Sequence, residues 1–143
     1  MANEPDRIYI DKNDKAIYER IEKANIFNDK GNKDLFIYAM IIGFEQRLKE
    51  AVSSKLGFVR VDYFNDEDMA LINSLAIIES KDIDMISERK TVYQLAEEYA
   101  HAGLKILNDK LEKVPYEVFE SNLELEIITK YEAFLKASSK SKG

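Results

Sequence analysis

His101 is the one histidine of the chain, and it lies in a residue pattern that can bind a metal ion. Glu98 precedes it by three positions, and Glu-x-x-His on a helix is half of a carboxylate-bridged di-iron site. That site needs a second histidine from another helix, which this sequence lacks. A mononuclear site completed by carboxylates is one remaining interpretation. The other is an ion pair on the helix surface with Glu97 or Glu98, which we expect instead of a metal.

The residue composition excludes several other classes of catalytic site. The chain has no cysteine, which excludes disulfides, thiolate metal ligands and a cysteine nucleophile. It also lacks a Gly-x-Ser-x-Gly elbow, a phosphate-binding loop and a Gly-x-Gly-x-x-Gly turn. The acidic run at residues 65–68 lacks the spacing and the glycine of a calcium loop, and it suits the N-terminus of a helix. We therefore expect a non-catalytic protein without a cofactor.

The net charge of −6 is unevenly distributed along the chain. Residues 1–57 carry 10 basic and 10 acidic side chains, whereas residues 58–143 carry 11 basic and 17 acidic ones. Phosphates repel the acidic part, so any nucleic-acid contact is expected in the first part. The N-terminal residues do not show the basic and then apolar pattern of a signal peptide, which predicts a cytoplasmic protein.

The longest apolar run, residues 35–44, predicts the central helix of the fold. A helix that is apolar on every side belongs in a core or a membrane, and this run is too short to span a bilayer. Charged residues follow it in an amphipathic pattern. The prediction is that the helix continues to about Lys55 and stops at Gly57.

The remaining pattern predicts a strand and further helices around this central one. Polar and aliphatic residues alternate over Arg7–Asp11, which is typical of a half-buried strand. Asn13 or Asp14 is expected to cap a helix that ends near Asn25, and residues 58–64 are expected to be an extended connection or short strand. Further predicted elements are a helix after Asn65, a short turn from Asp82, and helices over 91–111 and 116–136.

These elements together predict a mainly α fold. It is a single compact helical domain of about five helices over residues 1–137, with one short N-terminal strand. Residues 138–143 are expected to form a disordered tail.

The order of elements in residues 7–56 resembles a ribbon-helix-helix DNA-binding unit. In that family two strands pair across a dimer and lie in the major groove. The resemblance implies a homodimer with Ile8 and Ile10 in its core, and the alternative is a strand that only covers a helical core. The residues that the resemblance implies at the DNA are Arg7, Tyr9 and Asp11 on the strand, with Asn32 and Lys33 at a phosphate.

A longer resemblance covers roughly residues 7–111. It lies in the N-terminal strand and in the segments Lys33-Asp34-Leu35-Phe36, Asp68-Met69-Ala70-Leu71-Ile72 and Glu98-Tyr99-Ala100-His101-Ala102-Gly103-Leu104. These segments are similar to DNA phosphorothioation-associated protein 4, a family linked to DNA sulfur modification. The family has a small or amide residue and a second glycine where this chain has His101-Ala102-Gly103, which argues against a family role for His101. The resemblance implies a connection to phage defence or modification-restriction and supplies no catalytic residue.

The resemblance and the missing catalytic patterns together predict a non-catalytic accessory or regulatory protein of a DNA-modification or phage-defence system. Its expected partners are proteins of that system. Duplex DNA is a further candidate partner, and no membrane association is expected. The alternative is a helical protein–protein adaptor without nucleic-acid contact, which the acidic second half favours. An enzyme is the least expected class, because only carboxylate or tyrosine chemistry is left.

We predict that the purified native protein contains no stoichiometric transition metal, because a single histidine cannot complete the di-iron pattern. Elemental analysis checks this expectation. A stoichiometric metal that is lost in His101→Ala would contradict it.

Overall fold

The computed structural model describes residues 5–23 and 31–113, without the side chains of 111–113. The predicted helix over 116–136, the predicted tail 138–143 and the predicted end of the first helix near Asn25 lie outside the described residues. The elements are β1 (Arg7–Asp11), α1 (Lys15–Lys23), α2 (Asn32–Glu45), β2 (Lys55–Arg60), α3 (Asp66–Ser80) and α4 (Arg89–Lys113). Short 3-10 turns at Lys12–Asp14, Val61–Tyr63 and Ile83–Ser87 precede α1, α3 and α4.

The predicted mainly α fold with an N-terminal strand is confirmed. β1 has the predicted bounds, and its Ile8 and Ile10 side chains are buried. It pairs antiparallel with β2, and the register shifts between Ile8 and Tyr9. Gly57, the predicted stop of the central helix, lies inside β2 opposite Tyr9.

The predicted central position of residues 35–44 is also confirmed. All of them are buried except Tyr38, which is partly buried. A helix that is apolar on every side needs neighbours on every side. α4 covers most of α2, and α1 and β2 also contact it.

Two glycines allow α2 and α4 to approach each other closely. A Cβ atom built on Gly103 would overlap the Ala39 carbonyl oxygen, and one on Gly43 would overlap the Tyr99 carbonyl oxygen. The contact is thus between the backbones of the two helices, without side chains in between. Phe44 and Tyr99 flank it with their rings edge to face, 5.3 Å between centroids.

α2 ends at Glu45, so the prediction that the helix continues to about Lys55 is wrong. Arg47 adopts the left-handed conformation with φ 53°, and its N–H donates to the Phe44 carbonyl oxygen at 3.0 Å. The following N–H donates to the Gly43 carbonyl oxygen at 2.9 Å, which completes a Schellman motif. Glycine is the usual residue in that conformation, so an arginine gives no stop signal in the sequence.

α3 begins with the predicted cap. The Asn65 side chain accepts from the Asp68 N–H at 2.8 Å, and the Asp68 carboxylate accepts from the Asn65 N–H at 3.1 Å. This is a capping box, which satisfies backbone donors at the start of the helix. The same carboxylate accepts from the Lys33 ammonium at 2.7 Å and so joins the starts of α2 and α3.

We expect Gly103→Ala to lower the free energy of unfolding by at least about 2 kcal/mol, because the new methyl group meets backbone atoms of α2 that cannot rotate away. Urea unfolding followed by circular dichroism measures the change. Gly31→Ala is the matched control, since a Cβ there meets nothing within 4 Å. Equal stability of the two variants would show that the close helix approach does not exist.

Candidate functional site

A cleft between β1 and the first turns of α4 brings together several charged and tyrosine side chains. We call it the β1–α4 cleft, and its volume is about 330 Å³. Pro5, Arg7, Tyr9, Lys55, Lys90, Tyr93, Gln94 and Glu97 line it. It therefore combines three cationic side chains and two tyrosines with one carboxyl group.

The periodicities of a strand and a helix place these residues on the cleft. Arg7 and Tyr9 alternate along β1 with the buried Ile8 and Ile10, so they share the outer face. On α4 the four lining residues are spaced by three, four and seven positions, which puts them on one face of the helix. Lys55 begins β2, where it pairs with Asp11 at the end of β1.

Glu97 is a buried carboxyl group in the wall of the cleft, and only 5% of its surface is exposed. Its Oε2 accepts a hydrogen bond from the backbone N–H of Tyr9 at 2.9 Å, which ties β1 to α4. Burial raises the pKa of Glu97 from 4.5 to about 7. The Tyr9 hydrogen bond and the Lys55 charge lower this pKa by less, and Glu98 raises it slightly.

Arg89 holds Tyr93, which is buried in the wall of the cleft. Its Nη2 donates to the Tyr93 hydroxyl at 3.0 Å, and its guanidinium lies 4.7 Å from the centroid of the tyrosine ring. Its Nη1 donates to the Asn73 side chain at 2.8 Å and to the Ile86 carbonyl oxygen at 2.7 Å. Tyr93 is thus supported from α3, from the turn before α4, and from α4 itself.

Asp11, one of the predicted DNA-facing residues, points into the protein. Its carboxylate accepts from the Asn13 N–H at 3.0 Å and from the Ser53 hydroxyl at 3.1 Å, and 3% of its surface is exposed. The Asn13 hydrogen bond lowers the pKa of Asp11, with smaller contributions from Ser53. Asp11 therefore caps the turn before α1 and does not share a surface with Arg7 and Tyr9.

Asn32 and Lys33 begin α2, away from the cleft. They line a second cleft of about 420 Å³, together with Phe58 and Tyr63 among others. The Lys33 ammonium binds Asp68, and this hydrogen bond raises the pKa of Lys33. Of the five predicted contact residues, the structure thus brings together only Arg7 and Tyr9 at the β1–α4 cleft.

β1 also differs from the strand of a ribbon-helix-helix dimer in its pairing. Its partner is β2 of the same chain, and the N–H of Tyr9 binds Glu97. A second copy of the chain is not needed to complete this sheet. The dimer that the resemblance implies stays a prediction.

The predicted surface ion pair of His101 with Glu97 or Glu98 is wrong. His101 is buried, and its Nδ1 lies 2.5 Å from Oδ2 of Asp14, in the turn before α1. Burial raises the pKa of Asp14, and the contact with His101 opposes that change. Asp14 is therefore a core partner of α4. No cluster of potential metal ligands exists within residues 5–23 and 31–113.

The sequence did not indicate that Lys55, Lys90, Tyr93 and Glu97 line a cleft with Arg7 and Tyr9. The residues on α4 do have a signal, because their spacing marks one helix face. That face does not indicate which other element lies against it, since Tyr9 and Glu97 are 88 positions apart.

Fold and site together define a mainly α-helical domain with a two-stranded sheet and a basic, tyrosine-lined cleft. The family described as DNA sulphur modification system-associated protein 4 matches residues 7–139, and the chain belongs to that family. This confirms the resemblance seen in the sequence. The comparisons find no match among curated proteins and none among solved structures. Within the described part of the chain, no helix is both long and apolar enough to cross a membrane.

We expect Glu97 to make stability depend on pH. Its pKa is higher in the folded than in the unfolded chain. Its contribution to the free energy of unfolding is therefore fully present below about pH 4.5 and is lost as the pH rises through about 7. Glu97→Gln keeps an oxygen acceptor for the Tyr9 N–H and does not ionise. The variant should therefore gain stability over the native protein as the pH rises from 5 to 8, by up to about 3 kcal/mol.

Urea unfolding of both proteins at several pH values measures this gain. Glu98→Gln makes the same chemical change one position further along α4 and is the control. A stability difference between native protein and Glu97→Gln that does not change with pH would contradict the expectation.

Proposed function

We propose that this chain is a non-catalytic accessory protein of a DNA sulphur-modification system, and that it binds duplex DNA through the β1–α4 cleft. The observation that carries the proposal is the grouping of Arg7, Lys55 and Lys90 around Tyr9 and Tyr93. The family supports the link to the modification system. A cytoplasmic role in phage defence is part of the same proposal.

The charge of the cleft is opposite to that of the chain. The protein carries a formal charge of −6, yet three cations line the cleft and the one carboxyl group there is buried. Arg60 lies opposite Arg7 in the antiparallel strand pair, so a fourth cation lies at the Arg7 end of the sheet. Its Nη2 lies 3.2 Å from a carboxylate oxygen of Asp62. A concave surface of one sign concentrates ligands of the opposite sign, which for DNA are the phosphates.

The aromatic side chains suit the same ligand. Tyrosine hydroxyls, like lysine and arginine, commonly contact phosphate and sugar in protein–DNA complexes. Tyr93 is only 5% exposed and its hydroxyl is already bound by Arg89, so it forms a fixed part of the cleft wall, and Tyr9 is the tyrosine that a ligand can reach. Tyr9 is half-buried, with its backbone bound to Glu97. Such contacts position a duplex without reading its sequence.

The acidic remainder of the chain favours a second candidate function, a protein–protein adaptor. Ile83 and Ile86 in the turn before α4 are exposed, at 58% and 38%, and Tyr63 is 66% exposed. Isolated apolar side chains on a surface are common, but these are large and lie in the acidic half. In this candidate function the partners are proteins of the modification system and DNA is not contacted.

We predict that Arg7→Ala and Lys90→Ala each weaken binding to duplex DNA by about 1–3 kcal/mol. Each should also make the slope of log affinity against log salt concentration shallower by about one. Fluorescence anisotropy at two salt concentrations, on duplexes with and without phosphorothioate links, measures both effects. Lys15→Ala is the control, because Lys15 is an exposed cation on α1 that pairs only weakly, at 3.8 Å, with Glu19. Lys33→Ala tests the contact predicted at the start of α2.

The contrasting result separates the two candidate functions. If neither duplex changes the anisotropy and light scattering finds a monomer, DNA binding and the dimer both fail and the adaptor is favoured. If Lys15→Ala weakens binding as much as Arg7→Ala, the cleft is not the contact surface.

A further inference from the structure

Among the described residues that line the β1–α4 cleft, Glu97 is the one with an acidic side chain. We propose that the cleft is a proton-linked anion site, which binds a phosphodiester group of the DNA backbone when Glu97 is protonated and releases it when Glu97 ionises. The proposal rests on the proposed function and deepens it, because it names the group that is bound and the regulation of its binding.

The Glu97 carboxyl group is fixed in the wall of the cleft. Glu97 borders the cavity, yet 95% of its surface is covered, so solvent screens its charge poorly. Its Oε2 is fixed by the Tyr9 N–H at 2.9 Å, so it cannot swing out into water without breaking the link between β1 and α4. Any ligand in the cleft therefore meets either a neutral acid or a fixed negative charge.

Charged and tyrosine side chains from β1, β2 and α4 line the cleft together with Glu97. Arg7 and Tyr9 face it from β1, and Lys55 faces it from β2. On α4 itself, Lys90 and Tyr93 line the same cleft, and the neighbouring Glu98 acts on Glu97 through its charge. With Glu97 ionised, the three cations of the cleft oppose one internal negative charge. With Glu97 neutral, all three are available to an anion.

Proton binding by Glu97 and anion binding in the cleft are thermodynamically linked. Burial keeps the Glu97 pKa at about 7, so both forms of the cleft are populated near neutral pH. An anion binds the neutral form better, so its affinity falls as the pH rises through that range. A charge a few ångströms from a ligand in a partly screened site changes affinity by about tenfold. Reciprocally, a bound anion raises the Glu97 pKa by about one unit.

His101 lies one turn beyond Glu97 on α4, but it does not line the cleft, because its Nδ1 binds Asp14 inside the core. Glu97→Gln removes the charge of Glu97 and leaves the His101–Asp14 pair as it is.

The main experiment measures duplex DNA affinity by anisotropy from about pH 5.5 to about 8.5, a range in which phosphodiesters do not titrate. We expect the native protein to lose about tenfold in affinity across this range. Glu97→Gln should bind tightly and almost independently of pH. Glu98→Gln, the matched control, should keep the tenfold loss of affinity with a slightly lower midpoint, because the Glu98 charge raises the Glu97 pKa.

A second measurement uses the native protein without any substitution. The backbone ¹⁵N–¹H signal of Tyr9 reports the ionisation of Glu97, because this amide donates to Oε2. Sulfate is the probe, since its charge is constant over the same pH range. Saturating sulfate should raise the midpoint of the Tyr9 titration by about one pH unit.

The outcomes separate the inference from the function on which it rests. If DNA binds but Glu97→Gln keeps the native pH dependence, the proton-linked site is overturned and DNA binding stands. If DNA binds at no pH but sulfate raises the Tyr9 midpoint, the proposed function and the phosphodiester ligand are overturned, and only the linkage between anion binding and the Glu97 proton stands. If DNA does not bind and sulfate leaves the midpoint unchanged, both are overturned.

Discussion

The contact between the backbones of α2 and α4 at Gly43 and Gly103 is the constraint on which the rest of the structure depends. α2 is apolar on every side, so it needs packing partners on every side. α4 makes the most extensive contact with it, and α1 and β2 also pack on it. The two glycines let the helices approach until a methyl group on either one would overlap the other backbone. The position of α4 beside α2 depends on this contact.

Three carboxyl groups then fasten the N-terminal segment to that core. Glu97 accepts from the N–H of Tyr9, Asp14 binds His101, and Asp11 binds Ser53 before β2. Buried carboxyl groups are costly unless they are hydrogen-bonded, and each of these three has a bonding partner. Glu97 and Asp14 thus tie the N-terminal segment to α4, and Asp11 ties it to the segment before β2.

The site and the fold therefore share residues. Glu97 joins β1 to α4, and it is also the one acid that lines a cleft with three cations. The proposed contact with the DNA backbone needs a positive surface on a chain of net charge −6. Local grouping of cations provides such a surface without a basic composition.

The sequence alone determined the core helix at residues 35–44, β1, the cap at Asn65, the long α4 and the family resemblance, because periodicity, capping residues and apolar runs are local signals. It did not reveal the end of α2, since an arginine occupies the left-handed position where glycine is usual. It identified Arg7 and Tyr9, but their neighbours Lys90 and Glu97 lie more than eighty positions away. Only the tertiary structure decided that grouping, because it depends on how closely α4 packs on α2.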